Sequence, residues 1–207
     1  MRGISILLAA VLCLAMSACA QVHYPPPMLD LGSRSCTAAP NLQGAAELAY
    51  VPDKAKPQTV KLDETSPCYT GEDGKPHVYA IFALPAAEQP FIISVASTPQ
   101  GEALFPPHIQ LLNEAGALAR DIPDSLFLFR GFDMSAELRS HPAEHFLLVR
   151  SNSDLVGKKL SRISANVTMT STGYANIYSG ADVTTNLTFS YSGQLTVVLL
   201  PITAPKR

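Results

Sequence analysis

Short hydrophobic runs separated by proline and glycine constrain the fold of this chain more than any other feature. The 207 residues include 17 prolines, which is about 8% against the roughly 5% that is usual in proteins. Proline interrupts helices because it lacks the backbone N–H and clashes with the preceding turn. We therefore expect strands joined by turns rather than long helices.

The clearest strands are His77–Leu84 and Phe91–Ser97, which are rich in Val, Ile, Phe and Tyr. Phe146–Arg150 begins with a continuous apolar run, as expected of a strand covered on both faces. Further candidates are Leu48–Val51, Thr59–Leu62, Ile109–Asn113, Leu126–Phe132, Val167–Thr170, Thr184–Tyr191 and Leu195–Leu200. Many short strands with such turns predict an all-β fold, a β-sandwich of mostly antiparallel strands.

Several local features are predicted beside these strands. Leu42–Leu48 and Leu155–Leu160 are candidates for short helices, and Tyr191–Gln194 is a candidate hairpin turn between the last two strands. The phenylalanines of the aromatic run are expected in the core: Phe127, Phe129 and Phe132.

The first residues have the character of an export signal. Arg2 precedes an apolar run from Ile4 to Met16, which is too short to span about 30 Å of hydrocarbon, and Ser17-Ala18-Cys19 follows it. This segment resembles a bacterial lipoprotein signal peptide, which implies cleavage before Cys19 and lipid on that cysteine. The alternative is an ordinary secretory signal in which Cys19 has no role.

The chain is therefore expected to have three parts. Residues 1–18 form the signal peptide, residues 19–41 an extended tether with Pro25-Pro26-Pro27, and residues 42–207 the β-sandwich domain. The expected location is the cell envelope, facing the periplasm and anchored by lipid, on the outer membrane. The net charge of −2 and the lack of a basic block argue against nucleic acid as a partner.

Two cysteines remain once Cys13 leaves with the signal and Cys19 takes lipid. In an exported protein Cys36 and Cys68 most simply form a disulfide. Such a bond contributes about 3–4 kcal/mol by the loop-entropy model. Two free thiols or a metal site are the alternatives, although neither cysteine has CxxC spacing.

One family resemblance covers roughly residues 43–153. The segments that carry it are Leu48–Pro52, Gln58–Leu62, Val78–Ala86, Leu104–Asn113, Ser125–Phe129 and Phe146–Val149. In order and spacing they resemble the maltose-operon periplasmic protein family (MalM-like). The resemblance implies an exported protein linked to maltodextrin uptake, with no catalytic residues. The chain departs from the family by its lipidation signal, its Cys36/Cys68 pair and a shorter C-terminal part.

The run His141-Pro142-Ala143-Glu144-His145 matches the H-x-x-E-H pattern of one class of zinc enzymes. That chemistry needs both histidines on one helical face and a third ligand further along the chain. No glutamate follows Glu144, and an apolar strand candidate begins at Phe146. We therefore predict a loop-to-strand junction and no metal site.

Other candidate sites are weaker. Asp121 and Asp124 are paired carboxylates of the kind that bind calcium or exchange protons, but an inter-strand loop with a local ion pair is the preferred interpretation. No nucleotide-binding or serine-hydrolase motif is present, so no cofactor and no catalytic residue is predicted. Tyr174, Tyr178 and Tyr191 are the weak candidates for ligand binding, with packing as the alternative.

The sequence thus predicts an exported, non-enzymatic envelope lipoprotein. By family resemblance it is accessory to maltose and maltodextrin uptake. The alternative is a structural or protein-binding outer-membrane lipoprotein that is unrelated to sugar transport. The expected partners are the membrane, through the N-terminal lipid, and either a maltodextrin or other envelope proteins.

Overall fold

The computed structural model describes residues 29, 31, 32, 34–52, 54–87 and 89–202, and these residues form an all-β fold. Three sheets are present in this part of the chain. All strand pairs are antiparallel except two short parallel pairs described below. The predicted fold class is confirmed.

The first sheet has six strands: β1 (Ala46–Glu47), β3 (Cys68–Thr70), β4 (Pro76–Ala83), β7 (Pro107–Leu112), β8 (Leu118–Ile122) and β11 (Phe146–Ser151). Their order is β1-β4-β11-β7-β8, and β3 pairs with the start of β4. β1 runs parallel to β4. The central strands β4 and β11 are buried along most of their length.

The second sheet has five strands: β2 (Gln58–Leu62), β5 (Phe91–Thr98), β9 (Leu128–Arg130), β10 (Asp133–Arg139) and β14 (Gly193–Pro201). Their order is β2-β14-β5-β10-β9. Buried and half-buried residues alternate strictly along β5 and along most of β14. This alternation is the mark of a sheet with one face in a core and the other towards solvent.

The main hydrophobic core lies between these two sheets. The first sheet contributes Val78, Phe82, Ile109, Leu111, Leu147 and Val149, and the second contributes Leu62, Ile93, Val95, Ala136, Leu195 and Val197. The first sheet also carries a small apolar cluster on its other face, formed by Tyr69, Tyr79, Ile81, Leu112 and Leu148. The prediction that Phe146–Arg150 is covered on both faces is therefore confirmed, because Leu147 and Val149 lie in one cluster and Leu148 in the other.

The third sheet is a long hairpin with a short third strand. β12 (Lys159–Ser171) pairs with β13 (Asn176–Phe189) over the whole length of β12, and β6 (Ala103–Leu104) runs parallel to the end of β13. Leu104, Leu187 and Phe189 form a cluster at the base of the hairpin. The short strand predicted at Val167–Thr170 lies within β12, and most of the one predicted at Thr184–Tyr191 lies within β13. Both observed strands are much longer than predicted.

Two expected helices are wrong. Only Leu42–Gly44 makes a 3-10 turn, because Ala45 is already extended and the chain continues into β1. Residues 153–157 form turns before β12, and Gly157 adopts a φ of 85°, a left-handed conformation that ends any helix there.

The expected hairpin at Tyr191–Gln194 is also wrong, because β13 and β14 belong to different sheets. The buried Ser190 and Ser192 hydroxyls lie 2.9 Å apart where the chain crosses between the sheets. A Cβ on Gly193 would lie 2.7 Å from Cβ of Phe105, so close packing against Phe105 requires this glycine.

Leu126–Phe132 is interrupted rather than one strand. Asp124–Leu126 is a 3-10 turn, β9 follows, and Gly131 turns the chain with a φ of 62°. Phe127 is buried as expected, but Phe132 lies beyond the turn and is 74% exposed, so its expected place in the core is wrong.

Candidate functional site

The outer face of the first sheet holds a cavity of about 770 Å³, which we call the outer-face cavity. Its polar lining includes Glu72, Asp73, His77, Gln110 and Arg150. Its apolar lining includes Leu42, Leu112, Leu118 and Leu148, with Tyr69 beside them. This volume and this mixture of apolar walls with a few polar groups are typical of small-molecule sites.

Strand alternation places these residues on one surface. In β4 the inward residues Val78, Ala80 and Phe82 join the main core, so His77 and Tyr79 point outwards. Register then aligns residues from distant parts of the chain: Arg150 lies opposite both His108 and Tyr79, and Leu148 lies opposite Gln110 and Ile81. The cavity floor is thus built from three strands far apart in sequence.

The wall of the cavity comes from the segment that precedes β1. Cys36 and Cys68 are joined by a disulfide, as the sequence predicts. Thr37 pairs with Tyr69 of β3, and the main-chain N–H of Asn41 donates to the Tyr79 hydroxyl at 2.9 Å. Residues 36–42, which the sequence assigns to the tether and the start of the domain, therefore lie against the first sheet.

His77 is the most enclosed polar residue of the cavity, with 2% of its side chain exposed. Nδ1 lies 2.8 Å from the main-chain oxygen of Ser151, and Nε2 lies 3.1 Å from Oδ1 of Asp73. Nη1 of Arg150 lies 2.9 Å from Nδ1 and 3.3 Å from Nε2, so the guanidinium rests against the ring rather than on one nitrogen. The ring is held on three sides.

Gly71 makes this arrangement possible. A Cβ at this position would lie 2.6 Å from Nε2 of His77 and 2.7 Å from Oδ1 of Asp73. Any larger residue would separate the histidine from its carboxylate. Nothing in the sequence of the loop 71–75 indicates that it closes onto His77.

Ser153, His77 and Asp73 together contain the residue types of a hydrolase triad. Oγ of Ser153 lies 3.0 Å from Nδ1 of His77, but its hydroxyl donates to the main-chain oxygen of Pro76 at 2.6 Å. Nδ1 also faces the main-chain oxygen of Ser151, which can only accept. The serine proton is therefore directed away from the imidazole, and this arrangement supplies no activated nucleophile.

Two acidic residues, Glu72 and Asp73, and one arginine, Arg150, line the cavity. The main-chain N–H of Lys75 donates to Asp73 and holds the pKa of that carboxyl below its usual value, with the hydrogen bond to His77 acting in the same direction. Burial raises the pKa of the Tyr69 hydroxyl, and the positive charge of Arg150 opposes this effect. At neutral pH the cavity thus offers the Asp73 carboxylate, the Arg150 guanidinium and the uncharged Tyr69 phenol.

Asp121 and Asp124 meet at His108, beside the floor of the cavity. Nε2 of His108 lies 2.8 Å from Asp121 and Nδ1 lies 2.7 Å from Asp124. Asn152 donates to the other oxygen of Asp124. Both carboxylates have a local partner. No group of three or more His, Cys, Asp or Glu side chains that could hold a metal ion occurs among the described residues.

The H-x-x-E-H run lies in a turn directly before β11, at the loop-to-strand junction expected from the sequence. Glu144 is buried, pairs with Nε of Arg120 at 2.8 Å and accepts from the main-chain N–H of His141 at 2.8 Å. The main-chain N–H of His145 donates to the Leu112 oxygen. Glu144 is thus occupied in fixing the turn.

The three tyrosine candidates do not share one surface. Tyr174 lies at the far tip of the hairpin and is fully exposed, whereas Tyr191 follows β13 at the other end and packs against the main core. The 14 residues of β13 separate them, which corresponds to about 45 Å of strand. The side chain of Tyr178 lies outside the described part of the chain, as does Cys19.

Comparison with known proteins adds no relative: no family model, no curated protein and no solved structure matches this chain. The resemblance to maltose-operon periplasmic proteins therefore stays a prediction. Within the described residues, no helix is both long and apolar enough to cross a bilayer.

Proposed function

We propose that this protein is a non-enzymatic, lipid-anchored envelope protein that binds an oligosaccharide in the outer-face cavity, as an accessory to maltodextrin uptake. The observation that carries the proposal is the mixed lining of that cavity. Planar hydrogen-bonding groups on Asp73, Gln110 and Arg150 suit sugar hydroxyls. The part of the lining formed by Leu42, Leu112, Leu118 and Leu148 suits the apolar faces of pyranose rings.

Gln110 is the group best placed to meet such a ligand. It projects from β7 into the cavity, and no hydrogen bond engages its side chain within the described part of the chain. Its amide carries two donors and an acceptor, which matches the dual character of a hydroxyl. His77 and Asp73 hold each other at 3.1 Å, so the second polar group of the cavity is fixed in position.

The absence of enzymatic activity is part of the proposal. It is supported by the Ser153 hydroxyl, which donates to Pro76 rather than to His77. It is also supported by Asp121 and Asp124, whose carboxylates both pair with His108 rather than facing each other across a substrate site.

Calorimetric titration of the purified chain with maltose, maltotriose and maltohexaose tests the sugar site, with cellobiose as the control ligand. We expect saturable binding of the maltodextrins that weakens at least tenfold in Gln110→Ala. Gln58→Ala, a half-buried glutamine of the second sheet, is the matched variant and should bind as the wild type does. No saturable heat with any maltodextrin, or equal binding by both variants, would reject the site.

The lipid anchor at Cys19 is tested separately by metabolic labelling with a fatty-acid analogue. The wild type should be labelled and Cys19→Ser should not. Equal labelling of both would contradict anchoring at this cysteine without bearing on the cavity.

A structural or protein-binding envelope lipoprotein is the second candidate function. The observation that favours it is the β12–β13 hairpin, which exposes several large apolar side chains. Sugar binding and contact through the hairpin involve different surfaces, so the titration above distinguishes the two functions.

A further inference from the structure

We propose that two copies of this chain associate by antiparallel pairing of their β12 strands, so that the two hairpins form a continuous four-stranded sheet. The part of the hairpin beyond its base, residues 163–184, is called the ribbon below. The proposal is independent of the outer-face cavity and of what that cavity binds.

Among the described residues, no third strand and no hydrophobic cluster supports the ribbon. At its base Leu160 and Leu187 pack with the cluster around Leu104, and the guanidinium of Arg162 lies 4.9 Å from the centre of the Phe129 ring. Beyond this point Ile163 is 69%, Met169 56% and Ile177 55% exposed. A two-stranded hairpin with neither a third strand nor a core against it is marginally stable in water.

The outer edge of β12 is open. Among the described residues β12 pairs only with β13, so the backbone groups on its other side have no strand partner along all 13 residues. β13 is partly covered at the base, where Thr188 and Phe189 pair with β6. An edge of this length is a template for pairing with another strand.

Beyond Arg162 the usual devices that protect such an edge are missing. No Asp, Glu, Lys or Arg occurs from Ile163 to Ala181, and none of the 17 prolines lies between Ala143 and Leu200. The register of β12 with β13 runs without a bulge from Lys159↔Thr188 to Ser171↔Asn176. Charges, prolines and bulges are what keep natural edge strands from pairing with each other.

Charge placement favours a second copy in antiparallel orientation. When β12 pairs with β12 over its full length about Ala165, Lys159 lies opposite Ser171 and Arg162 lies opposite Thr168. Parallel pairing would instead set Lys159 against Lys159 and Arg162 against Arg162, and like charges directly opposite each other are destabilising. A second copy of the chain thus provides an edge of equal length, and antiparallel pairing places no like charges directly opposite each other.

Cysteine crosslinking of the full chain in intact cells tests the pairing. Single cysteines at 161, 163, 165, 167 and 169 are treated with a short bis-maleimide, and Leu128→Cys, on the edge strand β9 of the second sheet, is the control. We expect one maximum of dimer crosslinking near 165 that falls off on both sides. No dimer above the Leu128→Cys level, or equal crosslinking at all five positions, would overturn the proposal.

A pair of lysine variants gives a second measurement. Met169→Lys and Leu128→Lys alter residues that are both 56% exposed. Sedimentation velocity should show a dimer whose dissociation constant rises at least tenfold in Met169→Lys and is unchanged in Leu128→Lys. Far-ultraviolet circular dichroism confirms that both variants fold. A wild type that stays monomeric, or equal dissociation of both variants, would overturn the proposal.

Discussion

β11 and β12 follow each other along the chain and have opposite surroundings. Leu147 and Val149 of β11 lie in the main core, and Leu148 lies in the small apolar cluster on the other face of the first sheet. Both faces of this strand are therefore covered. β12 leaves its cluster after Leu160, and Ile163 and Met169 are mostly exposed. The first strand is specified by burial within the chain, whereas the second pairs on one edge only in the part of the chain that the structure describes.

The comparison is tested most strongly by truncating one aliphatic side chain in each strand. Leu147→Ala should lower the free energy of unfolding by about 2–5 kcal/mol, because a fully buried leucine leaves a cavity. Ile163→Ala should change it by less than about 0.5 kcal/mol. Urea unfolding at low protein concentration, where association does not contribute, measures both. Equal losses would mean that the ribbon is packed against the domain.

The disulfide provides the next largest effect. Replacing Cys36 and Cys68 by alanine should cost about 3–4 kcal/mol by the loop-entropy model, and hydrogen exchange should accelerate in residues 36–45 while the ribbon is unchanged. Reduced wild-type protein is the matched control and should lose a similar amount. Faster exchange in the ribbon would show that the two regions are coupled.

Gly71→Ala tests the fit around His77. Its Cβ would collide with His77 and Asp73, so we expect a loss of about 1–3 kcal/mol. Gly44→Ala, in the 3-10 turn Leu42–Gly44, is the control, because the nearest neighbour of its Cβ would lie at an ordinary 3.6 Å. Thermal unfolding of both variants measures the difference. A neutral Gly71→Ala would show that His77 is not fixed by this contact.

The smallest expected effect concerns pH. The lowered pKa of Asp73 means that its carboxylate stabilises the folded protein above pH 3.8, its ordinary value, and that this contribution is lost as the pH falls through the lower folded value. Because the side chain is 45% exposed, Asp73→Asn should cost less than about 1 kcal/mol at pH 7. Unfolding from pH 7 to pH 2 should show the two proteins converging in acid. A constant difference would assign the effect to packing instead of charge.

The sequence predicts the sandwich better than the ribbon for a physical reason. β4, β5 and β11 are rich in apolar residues such as Val, Ile and Phe, because buried strands need apolar side chains. The ribbon is rich in Ser, Thr, Asn and Ala, and it includes Gly180, so only fragments of it resembled strands. Nothing local to Tyr191–Gln194 indicates that the chain changes sheet there.

The outer-face cavity was not predicted because its members meet only through sheet register. Asp73 and His77 are close in sequence, but Gln110 and Arg150 arrive from β7 and β11. No periodicity within one strand reveals which residue of another strand will lie opposite. The disulfide was predictable because Cys13 falls in the predicted signal and Cys19 is the predicted lipid site, which leaves Cys36 and Cys68 as the pair.

The Cys36–Cys68 bond also determines how mechanical force would enter the domain. If lipid holds Cys19, as proposed, the 17 peptide units from Cys19 to Cys36 reach at most about 60 Å. Before Cys36 the main-chain N–H of Leu29 donates to the Ser190 hydroxyl and Leu31 packs against the main core. At Cys36 the disulfide adds a covalent path for tension into β3. Residues 37–45 lie beyond this junction, so the covalent path bypasses the cavity wall and reduces the load that the wall would carry while the protein is pulled.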